Sequence, residues 1–118
     1  MLGCRFNAKN TLDKNYLFLA QKAGCEIKAE TEVYDVIPLN SDGSIGYEIK
    51  FRSSLSWFPK KARIRTKAVI FAGGVLGTMN LLLKLKESSL PNLSEMLGKG
   101  VRTNSESLIG VTTYDKDV

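Results

Sequence analysis

The segment Thr66–Lys86, TKAVIFAGGVLGTMNLLLKLK, constrains this chain more than any other. Its residues Ala68–Ala72 would be apolar on both faces of a strand. Such a strand is ordinarily central and covered on both sides, as in a parallel sheet between helix layers. Beyond the glycines, Val75, Leu76, Met79, Leu82 and Leu83 recur with a period near 3.6. That spacing predicts a helix of about three turns. Lys84 and Lys86 suit its negative end.

Strand, glycine turn and helix are the frame of a dinucleotide-binding fingerprint, G-x-G-x-x-G. Here the six residues are Ala72, Gly73, Gly74, Val75, Leu76 and Gly77. The second and third motif glycines are present, as Gly74 and Gly77, and alanine replaces the first. Amides at the helix start suit a phosphate. The acidic partner expected about 20 residues later has no counterpart in a strand tip, because Glu95 falls in SEMLGKG. The competing reading is that Gly74 and Gly77 permit tight strand-to-helix packing.

Alternation and capping patterns predict the other elements. Thr11–Ala23 reads as an amphipathic helix, with Asn10 as cap, Asp13 as its capping partner and Gly24 as stop. CEIKA and TEVYDVIPL read as strands, the second closed by Pro38. Asp42-Gly43 predicts a tight hairpin with both residues left-handed. GYEIKF and ARIRT read as the following strands, with Tyr47, Ile49 and Phe51 on one face. A short helix ends at Gly98, and SLIGVTTY reads as a last strand. A single buried parallel-type strand needs parallel neighbours, and this chain offers few. The fold class expected is therefore α/β, or α+β, with further strands lying outside this sequence.

Composition excludes several chemistries. There is no histidine, so Ser-His-Asp and Cys-His nucleophile systems cannot form within the chain. Cys4 and Cys25 make no C-x-x-C pair and are expected to be reduced structural thiols; no metal site is expected. A length of 118 residues with 43% apolar content suggests one domain burying roughly two-thirds of its unfolded surface. No apolar run approaches the ~20 residues of a membrane span, and the N-terminus lacks a signal-peptide core, so a cytoplasmic location is expected. The formal charge is +5. Its only dense basic run is KKARIRTK, with basic residues alternating with Ala62, Ile64 and Thr66. This suits the protected edge of a sheet. An alternative is a small basic α+β module binding nucleic acid or a protein partner, although no aromatic residues interleave with the run to stack bases.

Four stretches carry a family likeness: GCRFNAKNTLDKNYLFLAQKAG, VIFAGGVLGTMNLLLKLK, LPNLSEMLG and RTNSESLIG. Together they resemble the glucose–methanol–choline (GMC) oxidoreductases, most closely a cholesterol-oxidase-like branch. The likeness spans nearly the whole chain and is weakest from Leu39 to Lys61. It implies an internal fragment of a Rossmann-like FAD-binding domain with a β-hairpin insertion. Residues 1–101 would belong to that domain, with the hairpin at about 31–66. Residues 102–118 would begin the crossing into a substrate domain.

The likeness implies a parent that oxidises the CH–OH group of an alcohol, sterol-like for this branch, by hydride transfer to the flavin. The family's main phosphate loop and catalytic histidine have no counterpart here, so the isolated chain is expected to be inactive. The implied FAD-contacting residues are Val33, through its backbone at the adenine portion, and Ala72, Gly73, Gly74 and Gly77. Val33 also reads as a plain core valine. Asn10, Asp13 and Lys14 read as capping or surface residues before substrate contacts, and Asn104 and Glu106 as polar candidates near the flavin. The implied partners are the alcohol substrate and the remainder of the parent chain, with no nucleic acid and no transmembrane segment.

Overall fold

A computed structural model of the chain describes Phe6, residues 8–104, Ser107 and residues 109–110. Cys4, Glu106 and most of the last expected strand lie outside the described residues. The elements in order are α1 (Tyr16–Lys22), β1 (Thr31–Pro38), β2 (Tyr47–Ser53), β3 (Lys61–Thr66) and α2 (Gly74–Lys86). The strands form one sheet in the order β1-β2-β3. Sequence neighbours joined by such short connections are antiparallel, since a parallel pair needs a crossover of about a dozen residues or more. The described residues are thus α+β. They divide into two compact units, residues 1–32 with 51–62, and residues 33–50 with 63–118.

In the first unit, α1 is shorter than its sequence pattern. The Lys14 N–H donates to the Thr11 carbonyl at 3.0 Å and the Asn15 N–H to the Leu12 carbonyl at 3.3 Å in overlapping turns, and the helix begins only after Asn15. The Asn15 side chain, not that of Asn10, caps it by accepting from the Tyr16 N–H. Asn10 instead accepts from the Asn15 amide at 3.1 Å. Asp13 is held by the Thr11 hydroxyl, which lowers its pKa. That local pairing competes with helical geometry, as short polar side chains do. The stop at Gly24 is as expected. Cys25 N–H donates to Ala20 O and Gly24 N–H to Gln21 O, with Gly24 at φ 92°. This is the paired 6→1 and 5→2 closure of a Schellman motif.

CEIKA is not a strand: residues 25–28 join no ladder. Cys25 is a free thiol and is exposed, not a buried structural one. Arg52 Nε meets Glu32 Oε2 at 2.8 Å, and the Ser53 N–H donates to Lys60 O at 3.2 Å, closing the β2–β3 connection.

The second unit holds the buried side chains. Val36 and Leu85 are each 1% exposed, and they are the only apolar side chains among the described residues that are fully buried. This is far less than a chain of this length can bury. The helix α2 has the expected length, and its inward residues are the expected ones in part. Leu85 is buried, and Thr78, Leu81 and the expected Met79 and Leu82 are half-buried, three and four apart as on one side of a helix. Val75, Leu76 and Leu83, expected in the core, are exposed, Leu76 by 82%.

The apolar run Ala68–Ala72 forms no strand, and Ile70 is 90% exposed. A strand exists through its ladder, and this segment has no ladder partner among the described residues. The expected short helix before Gly98 is a pair of turns, Leu97 N–H to Ser94 O and Lys99 N–H to Met96 O. Gly98 and Gly100 lie at positive φ.

The hairpin loop between β1 and β2 is wider than a two-residue turn. Gly43 is left-handed, but Asp42 is not. Asn40 staples the loop, its amide donating to Ser44 Oγ at 2.8 Å and its carbonyl accepting from the Ile45 N–H at 3.2 Å. The Ser44 N–H donates to Asp42 Oδ1 at 3.0 Å. That bond holds the Asp42 carboxyl below its ordinary pKa. At the loop's end Gly46 has φ 123°, and a Cβ there would lie 2.4 Å from the Thr66 carbonyl oxygen. Polar side chains of β2 face ion-pair partners. Lys50 Nζ meets Asp35 Oδ2 at 3.2 Å, and Glu48 Oε2 lies 3.6 Å from both Arg63 and Arg65.

Two outcomes follow from this geometry. Gly46→Ala meets backbone at an unfavourable φ and should lower the unfolding free energy by about 3 kcal/mol, read by urea denaturation. A carbon-detected NMR titration of Asp42 should give a midpoint below the ordinary aspartate value of about 3.9. Because the folded pKa is the lower one, the stabilisation is present above the ordinary value and lost as pH falls through the folded midpoint. Asp42→Asn should remove that acid-side dependence.

Candidate functional site

Within the second unit, β1 and the segment leading into α2 enclose a cleft of about 270 Å³. Its walls include Val33, Val36 and Ile49 on the strands and Ala72, Gly73 and Gly77 at the glycine turn. Four of the five residues expected at a cofactor thus share one cavity. The fifth, Gly74, lines an adjoining open depression with Val75, Thr78 and Arg102. Strict alternation sends residues three apart to opposite faces, yet Val33 and Val36 both line the cleft. Val33 is exposed, so it is not the plain core valine that its sequence also allowed.

The glycines have separable reasons. Gly74 begins α2 at φ 70°, a conformation that side chains with a Cβ rarely adopt. A Cβ built on Gly77 would meet no atom within 4 Å. Packing within the chain therefore does not require glycine at 77, and the expectation of close strand-to-helix packing there is not met. What the missing side chain does is leave the cleft open. Gly73 N–H donates to Thr78 Oγ1 at 3.0 Å, so this amide is already taken. The amides still lacking partners at a helix start are the following ones. Thr78 was not singled out in the sequence, although a hydroxyl one helical turn beyond a glycine cap is its legible sign.

The lining is chiefly apolar, with main-chain groups at an edge strand and a helix start. Ligand sites usually run from about 300 to 1,000 Å³, and this cleft lies just below that range. The described residues contain no cluster of three or more side chains able to hold a metal. Asn104 is exposed and is not among the residues lining the cleft. No helix among the described residues is long and apolar enough to cross a membrane.

Comparison with known proteins gives a consistent likeness. The whole chain aligns at 54% identity over 122 positions with a protein named cholesterol oxidase from Acinetobacter baumannii, of which it covers 22%. It aligns at 42% identity over 115 positions with a cholesterol oxidase of Mycobacterium tuberculosis strain H37Rv, with 96% of the chain and 19% of the relative covered. The chain thus spans about a fifth of the length of the curated relatives it matches. No family model matches it, and no solved structure does.

The openness at Gly77 has a direct consequence. Gly77→Ala should raise the unfolding free energy by about 0.5–1 kcal/mol, the gain of alanine over glycine in a helix. A loss of stability in thermal or urea unfolding would show a packing contact that the structure lacks.

Proposed function

We propose that this chain is part of the FAD-binding region of a flavin-dependent oxidoreductase that acts on the CH–OH group of sterol-like alcohols. The observation that carries the reading is the cleft where Val33, Ala72, Gly73 and Gly77 meet at the start of α2. The likeness of nearly the whole chain to about a fifth of proteins named cholesterol oxidase supports it. In this reading the parent belongs to the GMC oxidoreductases, and the described α+β unit is a piece of a Rossmann-like domain. Residues 1–101 belong to that domain, and residues 102–118 begin the crossing toward the substrate.

The residues present fit one part of the cofactor. Val33 lies on β1, an edge strand, and main-chain groups on an open edge can read the rim of an adenine ring. Gly77 leaves room beside it. The amides after Gly73 at the start of α2 supply partial positive charge toward phosphate. Apolar Val36 and Ile49 shield the ring from water. Bound flavin would supply hydride acceptance from the alcohol carbon. The chain's own residues bind and orient, and none of them is assigned a proton-transfer role. The chain by itself is inactive in this reading, because it has no histidine to act as the expected base.

The cofactor wall is tested at Gly77. In the protein at its natural length, Gly77→Val should weaken FAD binding about ten-fold by filling the cleft, while unfolding stability stays near that of the parent. Flavin fluorescence titration reads the affinity. Unchanged affinity would remove Gly77 from the wall, and a natural-length protein that retains no flavin would remove the reading itself.

A further inference from the structure

The glycine turn before α2 is tied by one side chain. Gly73 caps the helix without a side-chain bond to the amides that follow, and Gly74 lies at φ 70°. Two consecutive glycines are costly to order, since each gives up more conformational freedom than any other residue. Among the described residues, one side-chain hydrogen bond reaches residues 72–74. It runs from the Gly73 N–H to Thr78 Oγ1 at 3.0 Å.

A threonine within a helix ordinarily bonds back to the carbonyl four residues earlier. Here its oxygen accepts from the amide five residues earlier, so the bond spans the turn and joins the helix body to its cap. The Thr78 side chain is half-buried. It lines both the cleft, with Val33, Ala72 and Gly77, and the adjoining depression, with Gly74.

We propose that Thr78 is a positioning residue whose hydroxyl holds the Gly73–Gly74 turn in the shape that receives FAD. This inference rests on the FAD reading above. Without the bond, the glycine pair samples other shapes. A ligand that needs one shape then binds more weakly, in proportion to the fraction of protein that has it. A hydrogen bond of ordinary net strength changes that fraction by about five-fold. Once FAD is in place, its own contacts hold the turn, so the bound state is the same with or without the hydroxyl. Thr78 thus acts through Gly73 and on binding, and it moves no proton.

The test uses the protein at its natural length, stripped of flavin and titrated with FAD. Thr78→Val keeps the shape of the side chain and removes the acceptor; it should weaken FAD binding about five-fold. Thr78→Ser keeps the oxygen and should restore the parent affinity. Hydrogen exchange read by mass spectrometry over residues 71–78 should quicken in the valine variant and not in the serine variant. Saturating FAD should abolish that difference and leave the visible flavin spectrum of all three proteins alike. Leu82→Ala is the control. Leu82 is half-buried on α2 but outside both sets of walls, so its loss should lower stability and leave FAD affinity unchanged. The proposal is overturned if the valine variant binds FAD as the parent does, if serine fails to rescue, or if Leu82→Ala weakens FAD as much as Thr78→Val. A parent protein that retains no flavin removes the FAD reading and this inference together. A parent that binds FAD beside an unaffected valine variant removes this inference alone.

Discussion

The carboxylate of Asp35 ties the second unit together. One oxygen meets Lys50 Nζ at 3.2 Å, and the other accepts from Ser89 Oγ at 2.9 Å. The first contact links β1 to β2; the second reaches the turn that follows α2. Both oxygens are therefore engaged with groups distant in sequence. Each bond contributes on the order of 1 kcal/mol after solvent screening. Its importance is positional, because it fixes the end of α2 against the sheet beside the two fully buried side chains, Val36 and Leu85. Burying a leucine contributes about 2–3 kcal/mol, so two such residues make a small core.

That small core explains why the cleft exists. α2 is apolar around most of its circumference, and it is covered along Thr78, Met79, Leu81, Leu82 and Leu85 while Val75, Leu76 and Leu83 stay exposed. A helix with apolar residues all round belongs in the interior of a larger layer structure. The same holds for Ala68–Ala72, whose composition suits a strand covered on both faces. Where neighbouring layers would pack, the chain presents apolar walls, and at Ala72, Gly73 and Gly77 those walls leave a cleft of about 270 Å³. Openness at the glycine turn and shortage of core thus have one cause, namely apolar surface without a partner in this chain.

Local signals were the most legible in the sequence. β1 ends at Pro38, α1 stops at Gly24 and α2 runs from the glycine turn to its terminal lysines, because each boundary rests on a residue's own backbone chemistry. Segments that need distant partners were misread. CEIKA and AVIFA have strand composition, but a ladder requires a neighbour that composition does not supply. The start of α1 was misplaced because Thr11 and Asp13 satisfy one another, and the β1–β2 loop because Asn40, four residues before Ser44, is its staple. At the cleft, family likeness and the glycine pattern pointed to four residues that share its wall, Val33, Ala72, Gly73 and Gly77, and not to the rest of its lining. The reason for Gly77 was not legible, since packing and openness leave the same letter in the sequence.

Charge also changes meaning once contacts are known. The formal +5 suggests a broadly basic surface, yet the basic run on β3 is divided. Arg63 and Arg65 both face the buried carboxylate of Glu48. Lys50 is turned to Asp35, and Arg52 to Glu32. β3 is an edge strand, and its arginines serve the sheet as well as protecting its rim. A continuous stripe that could follow a phosphate backbone is thereby interrupted, since two of its cations already have a carboxylate partner. Lys60 and Lys61, beside aromatic side chains, are among the cations with no carboxylate partner among the described residues. The distribution of ion pairs, and not the net charge, decides which part of this surface is available to an anionic partner.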